Sequence, residues 1–109
     1  MYKNDIGNPN TKPSIPTNLN TVVNDGMVNF KWDKATDNQT AQNGLSYNLY
    51  IYEATNSSGS GYYQINSYTV YGTSFNYTSP NASLYYACQV SATNTAGLTG
   101  GISGFSPYK

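Results

Sequence analysis

Apolar and polar residues alternate along three stretches of the chain, which is the pattern of a β-strand with one buried face. The first stretch is Met27–Asp33, the second is Tyr47–Tyr52 and the third is Leu84–Thr93. With the first strand added, the residues in the apolar phase give a predicted core of Leu19, Val28, Phe30, Trp32, Tyr47, Leu49, Ile51, Tyr86, Cys88, Val90 and Ala92.

Weaker strands and turns fill the intervals between these stretches. Pro13 and Pro16 allow only an edge strand near the start, because proline cannot donate to a central ladder. Asn24-Asp25-Gly26 is a tight-turn signal. Residues 62–71 have a poor alternation and predict an edge strand, residues 74–78 predict a short strand, and the glycine-rich tail offers a last one. This spacing predicts an all-β fold, a two-sheet antiparallel β-sandwich of about seven strands over 13–109, after a flexible lead-in of residues 1–12.

The predicted strands contain four spaced motifs: Pro13-x-x-Pro16-x-x-Leu19, Val28-x-Phe30-x-Trp32, Tyr47-x-Leu49-x-Ile51 and the run Tyr86-x-Cys88-x-Val90-x-Ala92-x-Asn94-x-Ala96-Gly97. These motifs resemble the fibronectin type III family, with immunoglobulin-like sandwiches as the near neighbour. Immunoglobulin domains often pair a second-strand cysteine with one in the sixth strand. Here the second strand carries Phe30 and Cys88 stands alone, which favours the fibronectin type. The segment Trp32–Leu49 is similar to a variety found in secreted, multimodular bacterial proteins.

Charge is scarce and balanced, and this narrows the choice of partners. Charged residues make up 9% of the chain, with 5 basic and 5 acidic side chains, and neither Arg nor His is present. Such a chain lacks the positive charge that neutralises nucleic-acid phosphates. It also has no run of about 18–20 apolar residues for a membrane span. We therefore expect neither nucleic-acid binding nor membrane insertion.

Candidate catalytic and metal-binding groups are few. Cys88 has no histidine to activate it, so the sequence predicts a non-enzyme without a cofactor. Asp33 and Asp37 follow the tryptophan strand and would supply hard oxygen ligands to a cation. The alternative interpretation, which we favour, is that both carboxylates hydrogen-bond to loop amides.

Two surfaces are candidates for contact with a partner. The alternation turns Tyr50, Tyr52 and Tyr85 outward, on strands that are neighbours in the fibronectin arrangement, so the three rings predict one exposed face. That face suits a protein or a sugar ring, although cross-strand packing alone is the simpler explanation. The loop after the sixth strand, with Asn94, Thr95, Gly97 and Leu98, is the second candidate.

The expected function is a non-catalytic extracellular module, secreted or on the cell surface, that acts as a spacer or contacts a protein, either a neighbouring domain or copies of itself. The polar segment 1–12 lacks the hydrophobic region of a signal peptide. This leaves a structural subunit of a virion or surface filament as an alternative. A carbohydrate-binding module with a polysaccharide partner is the other alternative.

Overall fold

Six β-strands form two antiparallel sheets in the computed structural model, which describes residues 11–38, 44–78 and 80–109. The strands are β1 (Thr17–Asn24), β2 (Met27–Asp33), β3 (Ser46–Ala54), β4 (Tyr63–Val70), β5 (Ser74–Thr78) and β6 (Tyr85–Thr93). One sheet has the order β1-β2-β5 and the other has the order β4-β3-β6. The predicted all-β sandwich is confirmed. Apart from Thr11 and Lys12, the predicted lead-in lies outside the described residues.

The core lies between the two sheets and is supplied mainly by β2, β3 and β6. Their inward side chains leave less than a few per cent of their surface exposed, and the partly buried Leu19 packs against them. Tyr68 of β4 stacks on Phe75 of β5 with ring centroids 4.5 Å apart, which closes one side of the sandwich. The buried residues are Val28, Phe30, Trp32, Ala35, Leu45, Tyr47, Leu49, Ile51, Tyr86, Cys88, Val90 and Ala92.

The C-terminal segment, residues 100–109, replaces the predicted seventh strand but lacks regular strand geometry. Its backbone N–H groups donate to carbonyls of β6 at every third residue: Gly100 to Ala92, Ser103 to Val90, Ser106 to Cys88 and Lys109 to Tyr86, over 2.8 to 3.1 Å. A strand repeats every second residue, whereas a polyproline II helix repeats every third. The segment therefore covers the edge of β6 without joining its regular ladder.

Serine hydroxyls complete this unusual pairing. The N–H of Cys88 donates to Ser106 Oγ at 2.8 Å, and the N–H of Val90 donates to Ser103 Oγ at 2.9 Å. Ser106 Oγ also lies 2.7 Å from Thr21 Oγ1 of β1, so a hydrogen bond links the two sheets. Both serines are buried. Their hydroxyls accept hydrogen bonds from β6 N–H groups that the backbone carbonyls of a regular neighbouring strand would otherwise accept.

Candidate functional site

Four aromatic side chains gather on the outer face of the β4-β3-β6 sheet, and we call them the aromatic cluster: Tyr52, Tyr62, Phe105 and Tyr108. Tyr52 comes from β3, Tyr62 directly precedes β4, and the other two belong to the C-terminal segment. The Phe105 ring centroid lies 4.9 Å from that of Tyr52, 5.1 Å from that of Tyr62 and 5.8 Å from that of Tyr108. The first two contacts are edge-to-face, the arrangement that aromatic quadrupoles prefer.

Local sequence explains how the cluster forms. The alternation of β3 turns Tyr52 outward, and the three-residue repeat of the C-terminal segment places Phe105 and Tyr108 in one row. The ring of Tyr108 lies over Gly59 in the turn between β3 and β4. A Cβ at Gly59 would approach Tyr108 Cε2 to 2.9 Å, so glycine is what lets the ring settle there.

Hydrogen bonds hold Tyr52 in place. Its hydroxyl donates to Gln89 Oε1 at 2.8 Å, and Gln89 Nε2 donates to the carbonyl of Ser103 at 2.9 Å. This chain connects β3, β6 and the C-terminal segment. Burial raises the pKa of Tyr52, with the neighbouring Tyr62 adding to the effect. The ring therefore stays neutral at any physiological pH.

The outer part of the cluster is open to a partner. Tyr62 is 53% exposed and Phe105 is 41% exposed. No charged residue occurs in the sequence between Glu53 and Lys109, so the strands β4 and β6 carry none. The cluster is thus an apolar and uncharged patch with fixed geometry, which is the composition of an interface core.

The structure places Tyr50, Tyr52 and Tyr85, the three tyrosines predicted to share one exposed face, in three different surroundings. Tyr52 belongs to the aromatic cluster. Tyr50 pairs across the strands with Ser67 of β4 and Gln89 of β6. Tyr85 is the first residue of β6, where it lines a groove of about 710 Å³ together with Val22, Val23 and Lys109. Sequence reasoning missed Tyr62, Phe105 and Tyr108, although Phe105 and Tyr108 stand in a run of triplets that each end in an apolar or aromatic residue.

The predicted contact loop is organised by Asn94, which is 5% exposed. Asn94 Oδ1 accepts hydrogen bonds from the N–H groups of Ala96 and Leu98, each at 3.0 Å. Its Nδ2 donates to the carbonyl of Thr11. Thr95 and Gly97 are exposed and Leu98 is half-buried, and Gly97 adopts a φ of 84°. Asn94 therefore shapes the loop, and Thr95 and Gly97 form its accessible surface.

The two predicted cation ligands accept hydrogen bonds from different partners. Asp33 Oδ2 accepts from Asn18 Nδ2 at 2.6 Å, and Asp37 Oδ1 accepts from Asn94 Nδ2 at 3.2 Å. Among residues 11–38, 44–78 and 80–109, no three cysteine or carboxylate side chains are grouped to hold a metal ion. No helix in these ranges is long and apolar enough to cross a membrane.

A tyrosine at the start of β6 anchors the connection from β5. Tyr86 Oη accepts a hydrogen bond from the N–H of Asn81 and donates one to Glu53 Oε2, both at 2.7 Å. Glu53 Oε1 accepts a further bond from the hydroxyl of Tyr63. Burial and the hydrogen bond to Glu53 raise the pKa of Tyr86 to about 12. A tyrosine two residues before the Cys88 position that bonds to upstream backbone is the tyrosine corner of immunoglobulin-like sandwiches.

Known structures with the same arrangement identify the fold. An Fn3-like protein from Clostridium thermocellum matches with a TM-score of 0.58 and 22% identity, over 88% of this chain and 91% of that one. Titin module A71 from human cardiac muscle matches with a TM-score of 0.54 and 20% identity, over 93% and 88% of the two chains. The FN5 domain of Drosophila Lar gives 0.52 and 18%, over 87% and 97%.

These likenesses, with the sheet order and the tyrosine corner, define the class of the protein as a β-sandwich module. The chain has the fibronectin type III fold, as the sequence resemblance predicted. No protein-family profile and no curated protein matches the chain.

Proposed function

We propose that this domain is a non-catalytic interaction module that contacts a protein partner through the aromatic cluster. The observation that carries the proposal is the exposure of Tyr62 and Phe105 beside β4 and β6, two strands that carry no charged residue. Aromatic side chains dominate the binding energy of protein interfaces, and charged residues are depleted at interface centres.

The fixed geometry of the cluster supports the same function. Tyr52 is hydrogen-bonded to Gln89, and Phe105 contacts three rings. A partner therefore meets side chains that are already ordered, and less conformational entropy is lost on binding. The edge-to-face rings do not share a plane, so they form an uneven surface. Such a surface fits protein side chains better than the flat face of a sugar ring.

The lack of catalysis is part of the proposal. Asp33, Asp37 and Glu53 all accept hydrogen bonds from side chains within the domain. With no histidine in the sequence, few groups remain for acid–base chemistry.

Fibronectin type III domains are generally parts of larger proteins, and we place this one outside the cell, secreted or at the surface. The support is the similarity of Trp32–Leu49 to domains of secreted bacterial proteins. A virion is the alternative location.

A selection experiment tests whether the aromatic cluster is the preferred contact surface. A library of displayed synthetic protein binders is selected on the wild-type domain. Each binder is then measured against the double variant Tyr62→Ser/Phe105→Ser. We expect most binders to lose about ten-fold or more in affinity, because truncation of a hot-spot aromatic costs at least 1–2 kcal/mol.

Tyr71→Ser is the matched control, since Tyr71 is 80% exposed and lies outside the cluster. Binders should keep their affinity for it, and thermal melts should show that all variants are folded. Equal affinity for wild type and double variant would contradict the proposal.

Titration with cellohexaose and chitohexaose, followed by tyrosine fluorescence, tests the sugar alternative. A saturable change that the double variant loses would replace the protein partner with a polysaccharide.

A further inference from the structure

The sandwich has several sheet edges, and most of them are protected against pairing with another chain. The C-terminal segment covers the edge of β6. The edge strand β1 follows two prolines, has Asn18 at a φ of 52° and shifts register between Thr17 and Asn20. The edge strand β5 is only 5 residues long. Prolines, irregular backbone and short length are the usual means by which proteins prevent edge pairing.

The edge of β4 carries none of these protections along its second half. Ile65 is an extra residue opposite β3, and beyond it the register is regular from Asn66 to Val70. These five residues, Asn-Ser-Tyr-Thr-Val, contain no charge, glycine or proline. In the part of the chain that the structure describes, β4 pairs only with β3. A row of backbone N–H and C=O groups therefore faces outward on an uncharged, strand-prone segment.

We propose that this edge pairs antiparallel with β4 of a second copy of the chain, which joins two β4-β3-β6 sheets into one continuous sheet. The inference does not depend on the proposed function, because it uses the edge of β4 and not the aromatic cluster.

The second copy is favoured by the absence of charge. In a two-fold symmetric contact, a residue near the axis meets its own counterpart, so a charge there repels itself. No charged side chain occurs from Ala54 to Tyr108, so no charge repulsion on this edge opposes self-pairing. Ser67 and Thr69, both exposed, supply hydroxyls for cross-strand hydrogen bonds on the outer side.

The inner side of the pairing is equally self-complementary. Tyr68 lies opposite Leu49 and Val70 lies opposite Tyr47, so both face the core side of the sheet and are half-buried. When two copies pair, these residues extend the apolar layer of one sandwich into that of the other. The same strand thus offers hydroxyls on one side and apolar surface on the other, as a strand inside a sheet does.

Analytical ultracentrifugation of the whole chain over a wide concentration range tests the proposal. We expect the wild type to form a concentration-dependent dimer. Thr69→Lys and Thr69→Glu should each raise the dissociation constant by about ten-fold or more, because like charges then meet near the axis. An equimolar mixture of the two variants should recover the dimer, since the charges become opposite.

Thr78→Lys is the matched control, as Thr78 is an exposed threonine on the edge strand β5. It should dimerise like the wild type, and so should Phe105→Ser, which separates this proposal from the aromatic cluster. Recovery in the mixture also shows that the Thr69 variants are folded. A wild type that stays monomeric into the millimolar range would overturn the proposal. So would a Thr69→Lys variant that dimerises normally, or equal weakening by Thr78→Lys.

Discussion

Single side chains connect parts of this domain that are distant in sequence. Glu53 at the end of β3 accepts hydrogen bonds from Tyr63 and Tyr86, and Tyr86 in turn accepts from the N–H of Asn81. One carboxylate therefore ties β3 to the strand on each side of it.

Gly100 shows how closely the first and last described segments approach each other. A Cβ at this position would lie 2.2 Å from the carbonyl oxygen of Pro13, which is a backbone atom and cannot rotate away. Gly100→Ala should therefore lower the free energy of unfolding by about 1–3 kcal/mol, as forced repacking does. Urea denaturation followed by tryptophan fluorescence measures the change.

Gly104→Ala is the control for this substitution. A Cβ at Gly104 meets nothing within 4 Å, and its φ is not positive. The variant should be neutral or gain up to about 1 kcal/mol, because alanine reduces the entropy of the unfolded chain. Equal stability of the two variants would show that the contact with Pro13 does not restrict the site.

At the scale of elements, the C-terminal segment depends on serine hydroxyls for its attachment to β6. Ser106→Ala removes the acceptor of the Cys88 N–H and the hydrogen bond to Thr21. A buried donor without a partner costs about 1–3 kcal/mol, so we expect a loss of that size. The amide of Cys88 should also exchange its hydrogen faster than in the wild type.

Ser67→Ala, on the exposed outer side of β4, should change the free energy of unfolding by no more than about 0.5 kcal/mol. A Ser106→Ala variant as stable as Ser67→Ala, with unchanged exchange at Cys88, would mean that another group satisfies that amide.

The two-residue alternation made β2, β3 and β6 predictable, because each of these strands has one face in the core. It did not reveal the path of the last ten residues. Their signal has a period of three, in Gly100-Gly101-Ile102, Ser103-Gly104-Phe105 and Ser106-Pro107-Tyr108, where the first position faces β6 and the third is apolar. A search limited to strand and helix periods does not detect it.

The candidate site was only partly predictable for the same reason. The phase of β3 gave the outward direction of Tyr52, but its neighbours depend on the path of the C-terminal segment and on the turn before β4. The position of a residue along its strand also determines its neighbours. Tyr85 has the outward phase of β6 but lines the groove formed with Val22, Val23 and Lys109, away from the aromatic cluster. Periodicity assigns a face of the sheet, and only tertiary structure assigns the neighbours on it.

At the scale of the whole molecule, the groups with the largest pKa changes all make the folded state less stable at alkaline pH than at neutral pH. Burial raises the pKa of Cys88 to about 12 from an ordinary value of 9.0, and burial raises the pKa of Tyr108 to about 12 from 10.0. Tyr86 behaves in the same way. Burial disfavours the ionised form of each of these groups, so their pKa values are lower in the unfolded chain and the unfolded chain loses these protons at lower pH than the folded chain does.

These groups should therefore leave the free energy of unfolding unchanged up to about pH 8 and lower it as the pH rises toward 12. Urea denaturation at a series of pH values measures this dependence. In Tyr86→Phe, which is less stable at neutral pH, the fall above pH 10 should be shallower because one titrating group is gone. Constant stability up to pH 12, or a decline that begins below pH 8, would contradict the assignment.

The uncharged stretch between Glu53 and Lys109 has a kinetic consequence. Oppositely charged proteins attract each other over many ångströms, which speeds their encounter and makes the rate depend on salt. A partner that docks on the β4-β3-β6 face receives no such long-range attraction from it. Its association rate constant should stay on the order of 10⁵–10⁶ M⁻¹s⁻¹ at any ionic strength. Differences in affinity between partners that bind this face must then come from their dissociation rate constants.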